Sequence, residues 1–307
     1  MSDPQPQFTR EADAGGRFVR QESRFRDWVD TRPAPGRFHL YVSLACPWAS
    51  RVVIVRRLKG LEELLPMTVV DPERDDRGWR FSDDEPDPVN GFRFLAEAYA
   101  MTDPSFDGRV TVPVLWDVEQ RRIVNNESAD IIRMLNAWSD EGPNLVPADL
   151  RNAIDEINQR VYDGVNNGVY RAGFATSQEA YEEAFDEVFA TLDWLDDRLA
   201  TRRFLLGDRI TEADWRLFVT LVRFDAVYVG HFKCNLRRIA DYEHLSGYLR
   251  DLYQQPGIAD TVDFDEIKRH YYRTHPQLNP TRIVPKGPAL DLWAPHDRDR
   301  LEERRAA

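Results

Sequence analysis

Apolar and polar positions follow different periods in the two halves of the chain. Residues 37–44, RFHLYVSL, form an aromatic and β-branched run with partial alternation, which predicts a strand. Directly after it, Trp48, Val52, Val55 and Leu58 recur at helical spacing. Pro47 suits the first turn of that helix, where its missing N–H costs nothing, and Gly60 suits its end. MTVVD (67–71), TVPVLWD (111–117) and RRIVNN (121–126) predict three more strands, the last two joined as a hairpin. GFRFLAEAYAM (91–101) and ESADIIRMLNAW (127–138) predict helices, the second with Ile131, Ile132 and Leu135 on one face. The acidic, proline-bearing stretch 72–90 is expected to be a long loop.

The second half carries almost no strand signal. Tyr181, Phe185, Val188, Leu192, Leu195 and Leu199 recur at spacings of three and four, an amphipathic helix over 178–200. Thr211 and Asp214 in ITEADWRLF form a variant capping box, with Ile210 and Trp215 at the staple positions. The proline-rich tail, 274–300, is expected to run extended over the surface.

Composition narrows the function classes. The 307 residues are 42% hydrophobic and 31% charged, a soluble globular profile with room for two cores. A formal net charge of −12 and a pI near 5.1 argue against nucleic acid or anionic lipid as a partner. The N-terminus shows no apolar signal segment, and no apolar run approaches a membrane span. Two distant cysteines, Cys46 and Cys234, make a disulfide framework improbable and a reducing cytoplasm the expected location. The six histidines show no metal-site spacing, so no metal is expected.

Three elements carry candidate chemistry. In SLACPWASR, Cys46 stands where a strand gives way to a helix. A thiol there meets free N–H groups and the positive end of the helix dipole, which favour the thiolate. Arg51 adds positive potential, and Ala49 leaves no resolving cysteine, so an external thiol must complete any redox cycle. The competing reading is a packed core cysteine. Second, Pro113 opens a predicted strand, where a cis bond after Val112 would turn that backbone toward the Cys46 junction. Taken singly it reads first as an ordinary edge-strand proline. Third, Glu127 and Ser128 open a helix whose free N–H groups can hold a carboxylate, although capping by Ser128 or Asn126 explains them as well. Trp79, a large aromatic in a strongly charged stretch, is either a core anchor or a ligand contact. Cys234 reads as a structural thiol.

In this order the elements resemble the glutathione-binding half of a glutathione transferase. YVSLACPWASR, RGWRF, GRVTVPVLWD, NNESADIIRMLN, NNGVYRAGFA, VYVGHFKCN and HYYRTHPQLNPTRIVPKGP together resemble the glutathionyl-hydroquinone reductases, the Xi-class or omega-like glutathione transferases. The match runs from about residue 24 to 290, with seven separated motifs in order, and the extra length at both ends fits that family.

The resemblance implies an α/β thioredoxin-like N-terminal domain (37–140) and an all-α C-terminal domain (148–272), flanked by extensions at 1–36 and 273–307. It implies Cys46 as nucleophile, Trp79 beside glutathione, Val112 as a backbone contact, and Glu127 and Ser128 on the γ-glutamyl end. Tyr170, Tyr228 and Tyr271 would line an aromatic substrate pocket, offering hydroxyls to a hydroquinone and ring faces to its π-system. Glutathione is then the co-substrate, the partners are aromatic hydroquinone conjugates, and a homodimer is expected. The implied activity is reduction of glutathionyl-hydroquinones with release of glutathione disulfide. Its rivals are a conventional transferase, which a Cys in place of the usual Tyr or Ser disfavours, a dehalogenase of halogenated hydroquinones working through the same thiol chemistry, and a non-catalytic association module.

Overall fold

The computed structural model describes residues 12–84 and 86–301. Two compact units divide the chain. The first contains Arg20–Gly142 and Thr261–Val284. The second contains residues 12–19, Pro143–Asp260 and the tail from Pro285.

The first unit is built on a four-stranded sheet in the order β2–β1–β3–β4: β1 Phe38–Val42, β2 Met67–Val69, β3 Val114–Asp117 and β4 Arg122–Asn125. β1 runs parallel to β2 and antiparallel to β3, and β3 and β4 form the hairpin. All five residues of β1 are buried, so both faces of the sheet are covered. On one face Phe38 stacks on Trp138 of α3 (Ser128–Trp138), which packs against α1 (Pro47–Leu58). Side chains alternate along a strand, so His39 and Tyr41 point the other way. There Tyr41 meets Phe81 and Trp116.

Pro47 is the first helical residue of α1, and the chain leaves the helix through Gly60 at φ +58°. The loop after β2 is organised around one buried acid. Asp87, 4% exposed, accepts hydrogen bonds from the Tyr41 hydroxyl and the N–H groups of Val89, Asn90 and Phe92. The helix expected over 91–101 is shorter: α2 spans Ala96–Thr102. Gly91 has φ +71°, Phe94 bridges to Arg80, and the Glu97 carboxylate collects the Arg93 and Phe94 N–H groups. These contacts hold 91–95 in an irregular approach outside the helix.

Part of the N-terminal segment extends this sheet. Asp27 N–H bonds Val124 O and Asn126 N–H bonds Phe25 O, which covers the exposed edge of β4. Helix α9 (Phe264–Thr274) was expected in the helical domain up to residue 272, yet it clusters with the first unit. Arg269 and Arg273 both pair with Glu73 at 3.0 Å, and His270 Nδ1 lies 2.6 Å from Pro72 O.

The second unit is helical: α4 (Arg151–Val161), α5 (Gly168–Gly173), α6 (Gln178–Leu199), α7 (Glu212–Arg223) and α8 (Leu245–Tyr253). Thr211 and Asp214 form the capping box at the start of α7, and the buried Asp214 also accepts from Leu205 N–H and the Tyr248 hydroxyl. Single π-helical turns at Tyr162–Asn166 and Phe224–Tyr228 interrupt the helices. Residues 12–19 dock here rather than with the rest of the N-terminal extension. Gly16 O accepts from Thr176 N–H, the Ser177 hydroxyl donates to Gly15 O, and Arg17 pairs with Glu183 at 2.8 Å. The tail is tied down by Arg298, whose guanidinium donates to the carbonyls of Leu199, Arg202 and Arg203 near the end of α6.

Candidate active site

In the first unit, Cys46 is the N-cap residue of α1, half-buried, in extended conformation, and its side chain does not cap the helix. The sulfur thus stands at the N-terminus of α1, where the helix dipole adds positive potential. Its thiol donates to Val112 O at 3.6 Å, across the cis peptide bond Val112–Pro113. Thr111 and Pro113 lie outside the ladder, which begins at Val114. The Val112 backbone is thus not used in pairing within the sheet.

Glu127, rather than Ser128 or Asn126, is the N-cap of α3. Its Oε1 accepts from Ala129 N–H at 3.0 Å. Its Oε2 accepts from the Ser23 hydroxyl at 2.9 Å, so the N-terminal segment orients this carboxylate. Asn126 instead reaches the Tyr99 and Thr111 hydroxyls. Arg51, 1% exposed, lies 3.4 Å from Ser128 Oγ. The guanidiniums of Arg51 and Arg20 both lie over the Trp48 ring, at 4.4 and 4.7 Å. Two helix N-termini and two arginines thus create positive potential on an otherwise acidic protein, suited to a small peptide with two carboxylates.

Trp79 is 3% exposed. It stacks on His270 at 5.1 Å with an interplanar angle of 14°, and the Arg74 guanidinium lies 4.8 Å from its centroid. Tyr271, buried beside His270 and His275, belongs to this unit and not to the helical one.

In the second unit Tyr170 and Tyr228 come together, ring centroids 6.2 Å apart. Phe232 stacks on Tyr228 at 5.4 Å and meets Tyr170 edge-on, while Phe18 and Phe174 flank Tyr170. Gly173 admits the Phe232 ring, since a Cβ there would lie 2.2 Å from it. Each tyrosine is placed by a π-turn: one precedes α5 and Tyr170, the other ends at Tyr228. Such turns often occur at functional sites. Cys234 is fully buried, and burial pushes its thiol up to about 12, so it stays protonated.

Two family models match the chain: "Glutathione S-transferase, N-terminal domain" over residues 45–138 and "Glutathione S-transferase, C-terminal domain" over 178–251. The glutathionyl-hydroquinone reductase PcpF of Sphingobium chlorophenolicum is 54% identical over 288 residues, covering 91% of this chain and 92% of that one. The chain belongs to the glutathionyl-hydroquinone reductases. Among solved structures, the glutathione-bound YqjG of Escherichia coli K-12 superposes with a TM-score of 0.86 at 50% identity, over 90% of this chain and 96% of that one. A Xi-class transferase from Natrialba magadii gives 0.87 at 50% identity, over 90% and 89%. The two units are accordingly the thioredoxin-like and all-helical halves of the glutathione transferase fold.

Several residues that surround the expected positions, each within its own unit, escaped the sequence reading. Ser23, Arg20, His270 and the Phe18–Phe174–Phe232 cluster gave no signal by spacing. The glycines of GVNNGVYRAG were a legible sign of close packing around Tyr170. Among the described residues no group of His, Cys, Asp or Glu is arranged to hold a metal, and no helix is long and apolar enough to cross a membrane.

Proposed function

We propose that the protein reduces glutathionyl-hydroquinones to hydroquinones at the expense of glutathione. The observation that carries this is Cys46: a lone thiol at a helix N-terminus, 3.6 Å from the Val112 carbonyl, in a chain about half identical to named reductases of this kind. The Cys46 thiolate attacks the glutathione sulfur of the conjugate. The carbon–sulfur bond breaks, its electron pair leaves with the ring carbon, and that carbon takes a proton from a tyrosine. Cys46 and glutathione are now joined by a disulfide. A second glutathione thiolate attacks the glutathione sulfur of that disulfide, releasing glutathione disulfide and the Cys46 thiolate. The helix terminus stabilises sulfur anion in both steps, first as attacker and then as leaving group.

In this reading Val112 pairs with the peptide backbone of glutathione, Glu127 and Ser128 receive its γ-glutamyl end, and Trp79 lies beside it. Arg20 and Arg51 favour its negative charge. Tyr170, Tyr228 and Tyr271 supply ring faces and hydroxyls to the hydroquinone. The protein acts in the cytoplasm as a homodimer, and neither nucleic acid nor membrane is a partner.

Steady-state kinetics with a glutathionyl-hydroquinone and glutathione test the proposal. Ping-pong behaviour is expected, with activity abolished in Cys46→Ala. Conjugation of glutathione to an electrophile without hydroquinone release would make the protein a conventional transferase instead.

A further inference from the structure

We infer that His270 is a positioning residue that sets the Trp79 indole for glutathione, an inference that rests on the proposed role of Trp79. Trp79 lies in an irregular loop, whose backbone cannot by itself fix an indole. Beside Arg74 of the same loop, whose guanidinium lies over the ring, a fixing contact comes from α9, almost two hundred residues later in the chain. His270 Nδ1 lies 2.6 Å from Pro72 O. A carbonyl only accepts, so Nδ1 carries the proton, and the imidazole plane is set by that bond. The plane lies nearly parallel to the indole, 14° off, with centroids 5.1 Å apart. Arg269 and Arg273, on either side in sequence, both pair with Glu73 and hold the same helix to the same loop. His270 is 6% exposed. Its carbonyl also accepts the Thr274 hydroxyl at 2.6 Å, which stiffens this turn.

The neighbouring residue on α9 is Tyr271, whose ring meets those of His270 and His275. One helical turn therefore holds both the tryptophan assigned to glutathione and a tyrosine assigned to the hydroquinone. A shift of His270 would move both, and this gives the two halves of the conjugate a shared support. His270 itself touches neither in this account.

The test reads binding, not turnover. Calorimetry with S-methylglutathione, which has the peptide but no thiol, is run on wild type, His270→Ala, His270→Phe, Trp79→Ala and the His270→Ala/Trp79→Ala double variant. Loss of an aromatic stack predicts about tenfold weaker binding for His270→Ala. His270→Phe keeps the stacking ring but loses the bond to Pro72 O that sets its plane, so it should recover only part of that loss. The double variant should bind no more weakly than Trp79→Ala alone, because His270 acts through Trp79. Alkylation of Cys46 by iodoacetamide, which needs no glutathione, should proceed at the wild-type rate in His270→Ala. Unchanged binding in His270→Ala overturns the inference. Additive losses in the double variant, or slowed alkylation, would show a general structural role and overturn it equally. A wild type that binds S-methylglutathione but releases no hydroquinone overturns the proposed reaction and leaves the His270 comparison standing. A wild type that does not bind overturns both.

Discussion

Replacing Glu127 by glutamine separates the two jobs this side chain can do. As a cap, Glu127 needs only an acceptor for Ala129 N–H, now at 3.0 Å. Glutamine supplies one through its amide oxygen. Its NH2 group then faces the Ser23 hydroxyl, which can accept in place of donating. Stability should therefore change by less than about 1 kcal/mol, the usual cost of losing a cap. As a receiver of the γ-glutamyl ammonium, Glu127 needs its charge. A charged hydrogen bond contributes about 1 to 2 kcal/mol more than a neutral one, so Glu127→Gln should bind S-methylglutathione about 5 to 30 times more weakly. Glu127→Ala loses the cap as well, and its melting temperature should fall by about 2 to 4 °C more. Calorimetric titration and thermal unfolding of the three proteins measure both effects. If Glu127→Gln binds as tightly as wild type, Glu127 is a helix cap and nothing else.

Acid should unfold the protein through buried histidines. Burial pushes His39 and His231 down to about 4, whereas an unfolded imidazole titrates near 6.5. The unfolded chain thus takes up protons first. Stability is complete above about pH 6.5 and falls by about 3 kcal/mol per histidine as the pH drops to about 4. In urea titrations at pH 7 and pH 4.5, His39→Gln should narrow the stability gap between the two conditions; a gap as wide as in wild type contradicts this. Gly173→Ala puts a Cβ where only 2.2 Å separates it from the Phe232 ring. It should destabilise the protein by about 1 to 3 kcal/mol and raise KM for the aromatic conjugate, with S-methylglutathione affinity unchanged. Wild-type melting temperature and KM in this variant would show that the aromatic cluster is not a packed support for Tyr170 and Tyr228.

What the sequence made legible was local. A proline one residue after Cys46, apolar residues at helical spacing and a glycine at the end specify α1 without help from distant contacts, and they put the thiol at its N-terminus. Thr211 and Asp214 specify the start of α7 in the same way. What it hid depends on partners far along the chain. Within the stretch read only as an acidic loop, Tyr41 and three loop N–H groups make Asp87 the loop's buried anchor. Residues 91–95 have helical composition, yet the bridge to Arg80 and the Glu97 carboxylate keep them out of α2. Tyr271 looked like a helical-domain residue until Glu73, Pro72 and Trp79 were seen to hold α9 to the first unit. Glu127 was legible as a helix-start residue, whereas the Ser23 hydroxyl that orients it comes from an extension with no periodic signal.

The central claim is that Cys46 takes glutathione from the hydroquinone onto its own sulfur. A single turnover with excess enzyme, a glutathionyl-hydroquinone and no free glutathione tests it most directly, quenched in acid and read by intact mass with peptide mapping. The account predicts one hydroquinone released per conjugate consumed, with one glutathione joined to Cys46 and none to Cys234. Hydroquinone released while Cys46 stays unmodified, or no release until free glutathione is added, would contradict it.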